Sequence, residues 1–104
     1  MALKNIVAII QSTKQNQVIN TLQKAGIPGA SVMPVKGYGE YINQFSHDSL
    51  SNGIRLEVIA DEEYVDEIVA IIMDNACTGQ PGDGVVTVFN IDTVYRIKDK
   101  LKIS

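Results

Sequence analysis

The hydrophobic period of this chain changes from strand-like to helix-like and back twice. That repeated change constrains the fold more than any other feature. "NIVAII", from Asn5 to Ile10, is a short and nearly continuous apolar run, which fits a strand buried on both faces or held in a tight sheet. Ser12 and Thr13 follow, either of them able to cap a helix. Val18, Ile19, Leu22 and Ala25 then fall at i, i+1, i+4 and i+7, and Gly26 stands where a helix would stop. This spacing predicts a helix from about Lys14 to Ala25. Beyond "GIPG", the segment "ASVMPVKGYG" offers a second strand, and Pro34, which cannot donate to a ladder, confines it to an edge or a bulge.

The pattern restarts at Gly53. In "IRLEVIA", Ile54, Leu56 and Val58 alternate with Arg55 and Glu57, as a strand with one buried face requires. Asp61 can cap the following helix, in which Val65, Ile68, Val69 and Ile72 sit at i, i+3, i+4 and i+7. "VVTVFNI", from Val85 to Ile91, is the last clear strand. Between the halves lies "EYINQFSHDSLSN", polar, without a sustained period, and long for a loop in a compact domain unless it has a use. The order is therefore strand, helix, strand, long loop, strand, helix, strand. It predicts an α+β, ferredoxin-like βαββαβ sandwich with two helices on one face of an antiparallel sheet.

A chain of 104 residues, 45 % of them hydrophobic, makes one domain over 1–104 with a single small core. So small a domain buries a modest share of its surface, and the sheet face without helices is expected to be covered by copies of the same chain. The formal charge of −3 argues against a nucleic-acid partner. Cys77 is the single cysteine, so neither an internal disulfide nor a Cys-based zinc site can form, and it reads as a half-buried small apolar residue. The first residues lack the length of a membrane span and the layout of a signal peptide, so a cytoplasmic location is expected.

No catalytic set is visible. His47, the only histidine, lies in the polar loop and reads as a solvated side chain; one histidine supports neither a nucleophile pairing nor a metal cluster. The five carboxylates from Asp61 to Glu67 complement a helix start and need no metal. The glycines carry more. "VKGYG" ends one strand and "TGQPGDG" precedes another, while Arg96 and Lys98 in "YRIK" would share a face if that stretch is extended. Backbone amides free of side chains, with two cations nearby, suit a phosphate. Tight turns use the same residues, and both readings stand at this level.

"TGQPGDGVVTVF" with "YRI" downstream resembles the C-terminal signature of the PII signal-transduction family, and "VKGYG" resembles the start of that family's T-loop. "AII" near the start and "AGIPGASV" after the first helix are in register with it, so the resemblance covers nearly the whole chain. It implies a homotrimer with adenine nucleotides (ADP, AMP or ATP) bound in clefts between subunits. It also implies a T-loop, about 39–53, that controls a partner protein such as a membrane transporter or a metabolic enzyme. A transporter partner would recruit the protein to the membrane.

Carried over by position, the resemblance assigns the adenine and ribose side to Ile9, Gly29, Ser31, Gly37, Tyr38, Glu57 and Ile59. The phosphate side falls to Gly82, Asp83, Gly84, Arg96 and Lys98. The departures matter too. Val85 stands where the family has a lysine that grips phosphate. Tyr41 replaces a glutamine that helps hold magnesium with 2-oxoglutarate, and Glu40 replaces an arginine. Little 2-oxoglutarate response is expected, and the part of magnesium is left open. The loop is shorter than usual and has no tyrosine at its tip, so the familiar uridylylation is not expected. The alternatives from other classes are a small-molecule enzyme on a trimeric ferredoxin-like scaffold and a purely structural trimer whose glycines only make turns.

Overall fold

A computed structural model describes residues 2–38 and 50–104. Glu40, Tyr41, His47 and most of the expected loop lie outside the described residues. Four strands form one antiparallel sheet: β1 (Leu3–Gln11), β2 (Ser31–Gly37), β3 (Ser51–Asp61) and β4 (Gly84–Asn90), in the order β2-β3-β1-β4. Helices α1 (Gln15–Lys24) and α2 (Val65–Ala76) follow β1 and β3. The strand order and the two crossovers are those of a ferredoxin-like fold, as the double change of period predicts. Pro34 lies in β2, an edge of the sheet, where its missing N–H breaks no central ladder.

The core follows the period of two. Ile6, Ala8 and Ile10 on β1 stand opposite Val58, Leu56 and Ile54 on β3, and all six are buried. Val18 and Leu22 of α1, with Ile68, Ile72 and Ala76 of α2, pack onto that same sheet face. Each fully buried Leu, Ile or Val contributes about 1.5–3 kcal/mol of transfer free energy, so this layer is the main source of stability. The helices are also tied by polar contacts. Thr21 Oγ1 and Gln17 Nε2 both donate to Asn75 Oδ1, each at 3.2 Å.

Helix boundaries show where local signals fail and hold. Neither Ser12 nor Thr13 caps α1. The chain first makes a 3₁₀ turn over Ser12–Lys14, which places both residues inside the turn instead of ahead of the helix, and no side chain caps it. Asp61 does act as a cap, its Oδ1 accepting from the Glu63 N–H at 3.2 Å ahead of the turn that opens α2. Gly26 stops α1 with φ of 83°. The Ile27 N–H reaches back to the Leu22 carbonyl and the Gly26 N–H to the Gln23 carbonyl, both at 3.1 Å, closing a Schellman motif.

Three expectations are corrected. Cys77 is exposed, not half-buried, because it ends α2 and leaves the helix axis in an extended conformation. Val85–Ile91 is not the last extended stretch, since Tyr95–Arg96 (β5) and Leu101–Lys102 (β6) pair as a small hairpin. Arg96 and Lys98 do not share the face of one strand: β5 ends at Arg96, and residues 97–100 turn, with Lys100 at a φ of 60°.

Candidate functional site

Register divides the predicted adenine and ribose side among three places. At the start of β2, Ser31 stands opposite Glu57. Pro28, Gly29, Ala30, Ser31, Glu57 and Ile59 line one open cleft of about 490 Å³. Four residues of the predicted adenine and ribose side are thus gathered there. Gly37 ends β2 opposite Ser51, with exposed Tyr38 beyond it, at the end of the sheet from which the long loop departs. Ile9 lies on the helix-free face of β1 between Arg55 and Val85.

Gly82, Asp83 and Gly84 lie at the other edge, where the chain enters β4. β2 and β4 are separated by β3 and β1, three inter-strand spacings or about 14 Å. Arg96 and Lys98 belong to the separate β5–β6 hairpin. A single protomer therefore spreads the predicted set over both sheet edges, the inner strand β1 and the hairpin.

The glycine stretch has a definite local structure. Gln80, Pro81, Gly82 and Asp83 make a 3₁₀ turn, and the Asp83 carboxylate folds back to close it. That carboxylate accepts from the Thr78 N–H at 2.7 Å, the Gly79 N–H at 2.9 Å and the Thr78 hydroxyl. Donation from the Thr78 side chain and backbone holds the Asp83 carboxyl below the usual carboxylate range. The amides of Thr78 and Gly79 are thereby directed inward, and that of Asp83 reaches the Gln80 carbonyl at 3.2 Å. Gly84 has a different task. Its φ is 119°, and a Cβ there would lie 1.9 Å from the Ile9 carbonyl oxygen, so glycine lets β4 press against β1.

Two residues of this region escaped the sequence reading. Gln11, the last residue of β1, donates through Nε2 to the Gly82 carbonyl at 3.4 Å and to Asp83 Oδ1 at 3.5 Å. Thr78 clasps Asp83 from five positions away. A Thr ahead of a Pro-Gly-Asp turn carried a weak signal; Gln11 carried none, because its contact joins residues 71 and 72 positions apart.

On the hairpin, the Arg96 guanidinium is engaged. Its Nε donates to Asp99 Oδ1 and Oδ2 at 3.1 and 3.0 Å, and its Nη2 donates to Oδ2 at 2.5 Å. The guanidinium holds the Asp99 carboxyl below its ordinary range. No ion pair of Lys98 is found among the described residues.

The helix-free sheet face carries its own polar pair, Arg55 Nη2 to Glu57 Oε1 at 2.7 Å. On the same face, Asn5 Oδ1 and Arg55 Nε are buried without a hydrogen-bond partner. Met33, Ile59 and Phe89 are each about half exposed there, at 46, 56 and 51 %.

A family model described as "Nitrogen regulatory protein P-II" matches residues 3–100. The chain belongs to the nitrogen regulatory P-II family. It is 33 % identical over 106 residues to a nitrogen regulatory protein P-II of Pasteurella multocida, covering 92 % of each chain. It is 35 % identical over 104 residues to that of Porphyra purpurea, again over 92 % of each. With nitrogen regulatory protein P-II 2 of Methanothermobacter thermautotrophicus it shares 34 % identity, over 92 % of this chain and 90 % of the other. P-II proteins are non-enzymatic signal transducers, so the small-molecule enzyme is set aside. The family generally binds ATP or ADP. No helix among the described residues is long and apolar enough to cross a membrane.

Proposed function

We propose that this protein is a P-II-type regulator that binds an adenine nucleotide, ADP, AMP or ATP, in clefts between the subunits of a homotrimer. Through the loop that joins β2 to β3, expected at about 39–53 and ending at Ser51 where β3 begins, it regulates a partner protein, a membrane transporter or a metabolic enzyme. The observation that carries the reading is the division of the site. Gly29, Ser31, Glu57 and Ile59 lie toward the β2 edge, and Gly82, Asp83 and Gly84 at the β4 edge. Setting the β2 edge of one copy beside the β4 edge of the next joins the two groups, and a head-to-tail contact of this kind makes a trimeric ring when each copy is turned by a third of a circle from the last. The half-exposed Met33, Ile59 and Phe89 and the orphaned polar atoms of Asn5 and Arg55 supply a face for that ring to bury.

Ile9, Gly37 and Tyr38 complete the adenine and ribose side, and Arg96 and Lys98 the phosphate side. Val85 offers no charge-assisted contact of the kind a lysine makes, and such contacts contribute about 1.5–3 kcal/mol. Its loss weighs on the outer phosphates. ADP or AMP should therefore bind at least about as well as ATP, and 2-oxoglutarate should add little.

A thermal-shift panel with AMP, ADP, ATP, cyclic AMP and cyclic di-AMP, read beside light scattering, tests the proposal. A trimer stabilised by ADP or AMP supports it. A stable monomer at micromolar concentration, or a melting temperature that none of these nucleotides moves, overturns it.

A further inference from the structure

The Arg96–Asp99 pair lies on the residue to which the proposed site gives the phosphate. We propose that Asp99 is a built-in competitor for that phosphate, occupying Arg96 in the free protein and so setting how tightly a phosphorylated ligand is held. The inference rests on the reading of Arg96 given above.

Three features of the hairpin support it. The carboxylate meets Nε and Nη2 together, the same edge of the guanidinium fork that two phosphate oxygens would take. Asp99 is the single acid between Arg96 and Lys102, among Lys98, Lys100 and Lys102, in a stretch otherwise suited to hold an anion. Its place is set by the turn and not by chance contact. The Leu101 N–H donates to Asp99 Oδ1 at 3.2 Å, and the turn bends through Lys100 at a φ of 60°, a conformation uncommon for a non-glycine residue.

Exposure decides how strong the competitor is. The Arg96 side chain is 50 % exposed and that of Asp99 33 %, so solvent and salt weaken the pair. A phosphate can reach the guanidinium from solvent and displace the carboxylate, whereas a sealed ion pair would exclude it. A ligand whose phosphate takes the Nε/Nη2 edge of Arg96 must first separate this pair. Adenosine, which has no phosphate, meets no such competition.

Asp99→Asn tests this, because it keeps an oxygen for the Leu101 N–H and removes the charge. Wild type, D99N, R96A and the double variant would be titrated calorimetrically with ADP and with adenosine at one salt concentration. D99N is expected to tighten ADP roughly two- to fivefold, to leave adenosine unchanged, and to lose its gain in the R96A background. Unchanged or weaker ADP binding by D99N, an equal gain for adenosine, or a gain that survives without Arg96 overturns the inference. If wild type binds ADP and R96A weakens it while D99N does nothing, the competitor falls and the nucleotide site stands. ADP binding by none of the four forms removes both. A measurement on the wild-type protein covers a D99N chain that does not fold. The Asp99 carboxyl, followed by carbon NMR, should titrate at higher pH with ADP than without, and an unmoved titration under saturating ADP overturns the displacement.

Discussion

Replacing Gly84 with alanine separates the two tasks a glycine can have in "TGQPGDG". The backbone there has φ 119° and ψ −164°, a region that belongs to glycine, and holding another residue in it costs about 1–3 kcal/mol. The new Cβ would also meet the central strand at 1.9 Å from the Ile9 oxygen, 2.9 Å from the Ile9 carbonyl carbon and 3.1 Å from the Ile10 Cα. These are backbone atoms of β1 and cannot rotate aside, so β4 must shift. Overpacking of this kind adds about 1–3 kcal/mol, which puts the whole at about 2–6 kcal/mol. Gly79→Ala is the matched control. Its φ is 83°, with nothing within 4 Å of the added carbon, so it should cost about 1–2 kcal/mol from conformation alone. Urea unfolding at one protein concentration, with midpoint and slope both fitted, measures the two. A Gly84→Ala protein that loses no more stability than Gly79→Ala would refute the close-approach argument.

Thr78→Val should raise the Asp83 pKa toward its ordinary value, read by carboxyl NMR titration, because the Thr78 hydroxyl is the largest cause of its depression. Since the folded value is the lowered one, the stabilisation from this clasp is complete above the ordinary carboxylate pKa of 3.8 and is lost as pH falls through the folded value. Thr78→Val should therefore shrink the loss of stability on acidification. Leu22→Ala, at a position 1 % exposed between α1 and the sheet, should cost about 2–5 kcal/mol in the same urea assay. Arg96→Ala should weaken every nucleotide whose phosphate it holds and leave adenosine alone, by calorimetry. Val85→Lys should raise ATP affinity relative to ADP, by about tenfold if the added ammonium makes one charge-assisted contact.

Much of the fold is legible in local pattern. The alternation of Ile54, Leu56 and Val58 with Arg55 and Glu57 states which face of β3 is buried, because successive side chains of a strand point to opposite sides. The spacing of Ile68 and Ile72 does the same for α2, Gly26 marks the end of α1, and Pro34 marks an edge strand. The β5–β6 hairpin was not legible. Two-residue strands are too short to show a period, and their pairing depends on the turn at 97–100. Ser12 misled because the choice between capping a helix and entering a 3₁₀ turn depends on how β1 delivers the chain to α1.

Local pattern was enough for the order of the four sheet strands and two helices, for their buried faces and, through the glycine signature, for the P-II family, since these depend on residues close together along the chain. Tertiary structure decided what each member of that signature does. Asp83 is clasped by Thr78 and supported by Gln11 from the far end of β1. Gly84 is required because Ile9, 75 positions earlier, lies against it. Arg96 faces Asp99 because a turn brings them together. Contacts across a sheet or around a turn depend on strand order and backbone angles, which a linear pattern of residue types does not specify.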